Sequence, residues 1–349
     1  MRNQNYKELL GTELPIIQAP MAGVQGSDLA IAVSEAGGLG SLPCGMLNVE
    51  QIVNEVASIK LATNKPYNLN FFCHEVSPYD EKRQMVWQQM LKPYFDELEI
   101  ELDSSSKQAN RVPFNHKIAD AIESFAPPLI SFHFGLPEKA LLKRVKTWGT
   151  KVLSTATTVE EAIWLEANGA DGIIAQGLEA GGHRGMFLSS DITTQMGLSS
   201  LVPQIVRTVN VPVIAAGGIA RSEEAQAARV LGAAAVQVGT AYLLCPESTT
   251  SSLHRKAIQS GSASHTALTN VFSGKPARGI VNRVMKDLGH LNPQAPHFPH
   301  ASIEVTQLRG EAERRLISDF SPLWCGQNTL GCQEISAQAL TRQLAEGIE

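Results

Sequence analysis

Short runs of contiguous apolar residues alternate along this chain with longer stretches whose apolar positions recur every three or four residues. The runs read as strands buried on both faces of a parallel sheet, the stretches as amphipathic helices. The run from Pro15 to Gly23 reads as a short first strand that ends in a turn. Ser27 or Asp28 can cap a helix through Ser34, which Gly37-Gly38 would stop. Leu39 to Pro43 gives a second strand. A helix from about Val49 to Thr63 carries Ile52, Val53, Val56 and Ile59 at helical spacing. Asn68 to Phe72 is a third strand, followed by polar Cys73-His74-Glu75.

Residues from about 77 to 126 break the rhythm. They are polar and charged, with a helical stretch near Glu81 to Leu98 and an exposed loop expected at Ser104-Ser105-Ser106. This segment reads as a helical insertion after strand three, carried over one face. The alternation then resumes with a strand at Leu129 to Phe134, a helix around Glu138 to Trp148 and a strand at Lys151 to Thr155. Thr158 can cap a helix from Val159 to Asn168, with Glu161 as its reciprocal partner. Ile173 to Gln176 is strand six, and the glycine-rich run after it, through His183 to Gly185, should be a loop. A helix at Ser199 to Val209, a strand at Val211 to Ala216, a helix at Ser222 to Leu231 and a strand at Ala234 to Val238 complete the pattern.

Eight strands alternating with helices predict an α/β fold, a (β/α)8 TIM barrel. An open doubly wound sheet fits less well, because the strand count overshoots and no G-x-G-x-x-G follows the first strand. After about Cys245 the alternation stops. The remainder is mostly helical and polar, broken by Pro293, Pro296, Pro299 and Pro322. The expected organisation is a barrel over residues 1–245, with the insertion at about 77–126, and a helical cap over residues 246–349 that folds back across the barrel mouth.

Composition narrows the function. A chain of 349 residues, 43% hydrophobic, can bury a large core. Its net charge of −5 and lack of a basic run argue against nucleic acid or an anionic membrane as partner. No apolar stretch is long enough to span a bilayer, and the N-terminus lacks the apolar core of a secretory signal. Five scattered cysteines suggest neither a disulfide framework nor zinc. The expectation is a cytoplasmic enzyme, monomer or homodimer, acting on a small molecule.

Chemistry in a β/α barrel sits at the carboxyl ends of the strands. There the chain places Gly217-Gly218 and Gly239-Thr240, two turns whose free backbone N–H groups can converge on a phosphate. Other strand ends carry uncharged amides: Gln18, Asn70, Gln176 and Gln237. Singly each is an ordinary structural residue. Together with a phosphate site they suit a heterocycle with carbonyls and ring nitrogens, such as flavin mononucleotide. His183, set among glycines, and His133 are the candidate catalytic groups, since imidazole can take a proton or hold an anion near neutral pH. Phe132 and Phe134 are expected to alternate to the opposite face from His133. His74 is a further candidate. His297 and His300 lack a third ligand for a metal, and no metal site is expected. Arg184 is read as structural or in contact with the cap.

The segments QAPMAG, SEAGGLGSL, NLNFFCHE, ISFHFGLP, GADGIIAQGLEAGGHRG, VPVIAAGGI and AVQVGTAYL, with FSGKPARGIVNR and DFSPLWCGQ in the cap, resemble the class I nitronate monooxygenases, formerly called 2-nitropropane dioxygenases. The likeness runs from about Pro15 to the C-terminal helix. It implies an FMN enzyme that oxidises alkyl nitronates with O2 to a carbonyl compound and nitrite, by one-electron transfer to the flavin and without NAD(P)H. Propionate 3-nitronate, a toxic metabolite, is the substrate the resemblance suggests. Matched position by position, it implies FMN contacts at Met21, Asn70, Gln176, Gly181, Gly218, Gln237, Val238, Gly239 and Thr240. His183 would be the catalytic histidine and His133 the second active-site histidine. Substrate-side residues are expected near Tyr242, Lys275, Arg278 and the stretch from Pro293 to Arg309, where the sequence departs from the family pattern. The main alternative is an FMN-dependent enoyl-thioester reductase of the same superfamily, which would need a nicotinamide site. A flavin-free barrel aldolase would want a reactive lysine at a strand end, and Lys151 lies at the wrong end. A non-catalytic flavin carrier is the third reading.

Overall fold

The computed structural model describes residues 5–103 and 111–348. The expected loop at Ser104-Ser105-Ser106 lies outside the described residues. Strands β1 (Ile16–Gln18), β2 (Gly40–Pro43), β3 (Tyr67–Phe72), β4 (Leu129–His133), β5 (Lys151–Ala156) and β6 (Gly172–Gln176) precede a two-residue strand, β7 (Gly182–His183). β8 (Val213–Ala216) and β9 (Ala235–Val238) follow. All but β7 run parallel in one sheet, in the order β1-β9-β8-β6-β5-β4-β3-β2. The ring closes between β1 and the entry to β2, where Leu39 N donates to Ile16 O at 2.8 Å and Gln18 N to Leu39 O at 3.0 Å. This is the eight-stranded barrel that the alternation predicts.

Side-chain alternation along the strands sorts the core into two layers. Ile17, Leu129, Leu153, Ile174, Ile214 and Ala235 fill the barrel interior, joined by Leu9 and Leu10 of the short N-terminal helix. Their neighbours in the chain, such as Ile16, Ile173, Val213 and Val236, face the surrounding helices.

Most expected helices form, with some caps made differently. The helix Ser27–Glu35 has Gly26 at its cap, and no side chain of its own closes it. Glu55, from the next helix, accepts from Ser27 N at 2.7 Å instead. A carboxylate there also suits the positive end of the helix dipole. Thr158 caps its helix as expected, accepting from Glu161 N. Glu161 does not return the bond to Thr158. Its buried carboxylate accepts from Thr157 N and from Phe187 N, each at 2.7 Å, and so ties the end of β5 to the segment after His183.

The chain beyond the barrel supplies helices, among them Ser302–Arg314, and also an antiparallel pair, β10 (Thr266–Thr269) and β11 (Ala277–Ile280). The inserted helix Glu81–Glu97 packs on Ser302–Arg314 through Trp87, Leu91 and Phe95 against Val305, Leu308 and Ala312. Arg283 reinforces this layer by gripping Glu97 with both terminal nitrogens, at 2.6 and 2.7 Å. The last helix, Ala337–Ala345, returns to the barrel wall, where Leu340 and Leu344 join the outer apolar layer. No helix among the described residues is long and apolar enough to cross a membrane.

Candidate active site

A cavity of about 290 Å3 lies over the carboxyl ends of the strands, between barrel and cap. Of the residues expected to bind cofactor, Met21, Asn70, Gln176, Gly181, Gly218, Gln237, Gly239 and Thr240 line it, as do His133 and His183. Val238 does not. It follows Gln237 on β9, so alternation turns its side chain outward into the apolar helix layer. Its carbonyl is used too, accepting from Ala19 N at 2.8 Å.

One end of the cavity is built from backbone. Gly217 and Gly218 have φ of 121° and 71°, values that residues with a Cβ rarely adopt. A strap from the C-terminal segment crosses here. Gly326 N donates to Thr240 Oγ1 at 2.9 Å, and Asn328 Nδ2 to Gly218 O at 2.9 Å. A Cβ on Gly181 would fall 2.6 Å from Gly326 N, so the strap can lie this close only against glycine. Among the described residues no charged side chain lines this end, and an anion here would be held by N–H groups and the Thr240 hydroxyl.

The floor is neutral. Asn70 Nδ2 donates to Ser131 O at 3.2 Å and Ser131 Oγ at 3.0 Å. Gln237 Oε1 is buried without a partner. A buried acceptor without a donor costs roughly 1–3 kcal/mol, so a ligand N–H at this point would be favoured. Gln176 is different. Its Nε2 donates to His183 O at 2.9 Å and its Oε1 accepts from Gly185 N at 2.8 Å, so one amide clamps both sides of the histidine.

His183 is not on a free loop. Gly182 and His183 form a third strand beside β11, with His183 opposite Ala277, and Arg184 N donates to Pro276 O at 2.8 Å. Cross-strand pairing to residues over ninety positions away fixes a segment whose own sequence reads as irregular. Arg184 is fully buried and holds the same segment to β6, donating to Gln176 O and Gly177 O at 2.8 and 2.7 Å. Burial and the nearby Arg278 lower its pKa to about 10.

The His183 ring sits in an aromatic box, with Phe298, Trp324 and Phe134 at centroid distances of 5.6, 5.5 and 6.2 Å. Its Nε2 meets Ser273 Oγ at 2.8 Å. Burial, then the positive charge of Arg111, holds its pKa well below the ordinary histidine value. His183 is therefore neutral near pH 7, in an environment that favours a nearby anion.

His133 has both ring nitrogens committed. Nε2 donates to His183 O at 3.2 Å, so Nδ1 carries the lone pair and accepts from Thr155 Oγ1 at 3.1 Å. Burial lowers its pKa to about 4. Phe132 does face away, into the outer layer. Phe134 departs from the expected alternation: it leaves the strand with φ of 70°, and its ring lies 4.6 Å from that of His133 and 6.2 Å from that of His183. Lys275 Nζ stands 4.7 Å over the Phe134 ring.

The remaining candidates scatter. His74 packs beside Phe298 and bonds to Arg111 O at 3.1 Å, outside the cavity lining. His300 bonds to Ser77 O at 2.9 Å. No group of three His, Cys, Asp or Glu among the described residues is placed to hold a metal. Tyr242 is fully buried against Thr341, and Arg278 is spent on Leu178 O and Thr266. Of the expected cap residues, Arg309 reaches the cavity. Arg111, His254, Glu313 and Trp324 line it as well and were not anticipated. Only Trp324 had a signal, lying inside the DFSPLWCGQ segment; the others sit in ordinary polar surroundings.

A roofed cavity at the strand ends of a (β/α)8 barrel, with a neutral floor and a shielded histidine, defines a barrel enzyme acting on a small molecule. The sequence profile described as nitronate monooxygenase matches residues 3–347. A nitronate monooxygenase of Pseudomonas aeruginosa is 39% identical over 344 residues, 98% of each chain. The crystal structure of a nitroalkane oxidase from Streptomyces ansochromogenes superimposes with a TM-score of 0.89 at 36% identity, covering 97% of this chain and 96% of that one. FabK from Thermotoga maritima is similar at a TM-score of 0.68 and 26% identity, over 97% and 93% of the two chains. The chain belongs to the nitronate monooxygenase family. It is an oxidoreductase, and the chemistry of its family is the oxidation of nitronates.

Proposed function

We propose that the protein is an FMN-dependent enzyme that oxidises alkyl nitronates, propionate 3-nitronate among them, with O2, giving a carbonyl compound and nitrite. The observation that carries this reading is the division of the cavity. Glycine turns and the unpartnered Gln237 Oε1 mark a neutral floor suited to a phosphorylated heterocycle, and His183 lines the same cavity, acted on by the positive charge of Arg111. FMN would be held by the N–H groups around Gly218 and Gly239, by Thr240, and by Asn70 and Gln237. When bound, it supplies the oxidising centre for electrons leaving the nitronate carbon and passes them on to O2.

The chain's own residues have limited work to do, because a nitronate arrives already deprotonated. His183 holds the anion by hydrogen bonding, and with a neutral nitroalkane its free nitrogen can accept the α-proton. Ser273 and the aromatic box orient the ring, and His133 and Gln176 hold its backbone carbonyl. Phe134, Phe298 and Trp324 exclude water from around it.

The test is a visible spectrum of the purified protein, followed by anaerobic mixing with propionate 3-nitronate. A yellow protein that bleaches and recovers its colour in air is expected. Bleaching by NADH but not by the nitronate would favour the thioester reductase instead. A colourless protein after purification with excess FMN would remove the flavin altogether. His183→Asn should keep the yellow colour and lose most nitronate turnover.

A further inference from the structure

The strap that crosses the glycine turns is fixed at its ends and lightly held between them. Cys325, at its start, is buried in an apolar cluster with Leu243, Leu244 and Leu323, and Ile335, beyond its end, packs against the outer core layer. Between these anchors, residues 326–331 bury no side chain. Gln327 and Leu330 are exposed, and Asn328 and Thr329 are half-buried. Hydrogen bonds tie the stretch to three walls of the barrel mouth. Gly326 N donates to Thr240 Oγ1 at 2.9 Å, beyond β9, and Gln327 N to Glu179 O at 3.0 Å, beyond β6. Asn328 Nδ2 donates to Gly218 O at 2.9 Å and Arg221 Nη2 to Leu330 O at 3.0 Å, both beyond β8. A segment held by such bonds, without an apolar anchor, opens locally at low cost.

Closed, the strap leaves no space beneath it at two points. The Gly326 backbone approaches Gly181 as described above, and a Cβ on Gly331 would fall 1.8 Å from Ala220 O. Main chain meets main chain on the β6 side and on the β8 side, and a further group passes at neither place unless the strap lifts.

We infer that residues 326–331 are a gate over the phosphate end, which opens for cofactor exchange and selects a flavin mononucleotide against a flavin dinucleotide. The inference rests on the flavin reading and extends it. A phosphate monoester at the glycine turns ends beneath the strap, so the closed and open forms hold FMN alike. Loosening the strap then quickens entry and exit together and leaves the affinity in place. A dinucleotide continues outward through a second phosphate and an adenosine. It binds the open form alone, and its apparent affinity follows the open fraction.

The test compares the unmodified holoenzyme with Asn328→Ala, which removes the tie to Gly218 O. Flavin fluorescence follows FMN release on dilution and rebinding when free FMN is restored, and FAD is added in competition. The unmodified protein should prefer FMN to FAD by about 10- to 1,000-fold, the penalty of binding only a minor form. Loss of one neutral hydrogen bond should raise the open fraction about three- to tenfold. FMN release and rebinding should both quicken by that factor, the FMN Kd should stay within about twofold, and FAD should bind tighter by the same factor. Gly331→Ala pushes the strap off Ala220 O without touching Asn328 and should give the same pattern. Comparable affinity for FMN and FAD in the unmodified protein overturns the selection. A weaker FMN Kd with unchanged rebinding in Asn328→Ala marks a ligand contact and overturns the gate, as do unchanged rates in both variants. A protein that binds neither flavin refutes the flavin reading itself, and the gate with it.

Discussion

Gln176 offers a sharp test of how His183 is held. Replacing it with leucine keeps the volume and removes both polar atoms. The Gly185 N–H, buried and 2.8 Å from Oε1, would lose its acceptor. An orphaned buried donor costs about 1–3 kcal/mol. The His183 carbonyl loses the donor at 2.9 Å but keeps His133 Nε2 at 3.2 Å, so that loss is smaller, about 1 kcal/mol. Gln176→Leu should therefore loosen the segment by roughly 2–4 kcal/mol. At 1.4 kcal/mol per factor of ten, nitronate kcat/KM should fall by about 30-fold or more. The assay is steady-state oxygen uptake at saturating FMN, which separates loss of positioning from loss of cofactor. His133→Leu supplies the second arm. Either donor alone satisfies the carbonyl, so removing both should cost at least about 1 kcal/mol more than the sum of the single changes. Additivity within about 0.5 kcal/mol would refute the shared-carbonyl argument. Unchanged activity in Gln176→Leu would refute the clamp.

Two further changes probe the cofactor end and the buried imidazoles. Gly218→Val places a β-branched residue at φ 71° and should weaken FMN retention at least tenfold, read by fluorescence of released flavin; unaltered affinity would remove the phosphate from this turn. His74 and His254 are each lowered to about 4 by burial, below the ordinary value near 6.5. The unfolded chain then binds more protons between those values, so stability is complete above about pH 6.5 and lost as pH falls toward 4. From pH 7 to 5 the pair should cost about 4 kcal/mol, and thermal denaturation unchanged over that range would show that these rings are not buried neutral.

The barrel was legible because each of its elements repeats a local signal. A parallel strand needs a run such as Ile173 to Gln176, a helix needs periodic apolar positions, and both lie within a dozen residues. The strand ends followed, and with them the neutral amides and glycine turns. Features made by distant partners were not legible. β7 exists because Gly182 and His183 pair with Arg278 and Ala277, and nothing in the two residues themselves favours a strand. Glu161 looked like the reciprocal partner of Thr158 and instead accepts from Thr157, one residue earlier, and from the distant Phe187. Arg111 and His254 carry no motif; they matter only because the insertion and the cap bring them over one cavity.

The division of labour between barrel and cap meets at His183. Its carbonyl is held from below by Gln176 on β6 and His133 on β4. Its strand is paired from above to β11, and its ring bonds to Ser273 just before that strand. The floor beneath is neutral, and the charged side chains lining the cavity among the described residues are Arg111, Arg309 and Glu313. The imidazole is therefore held jointly by the barrel strands and by the chain beyond them. A group placed there can touch a substrate lying against the floor. Changes at Gln176 or His133 should consequently act on turnover, because with Arg184 they fix the histidine segment against the barrel.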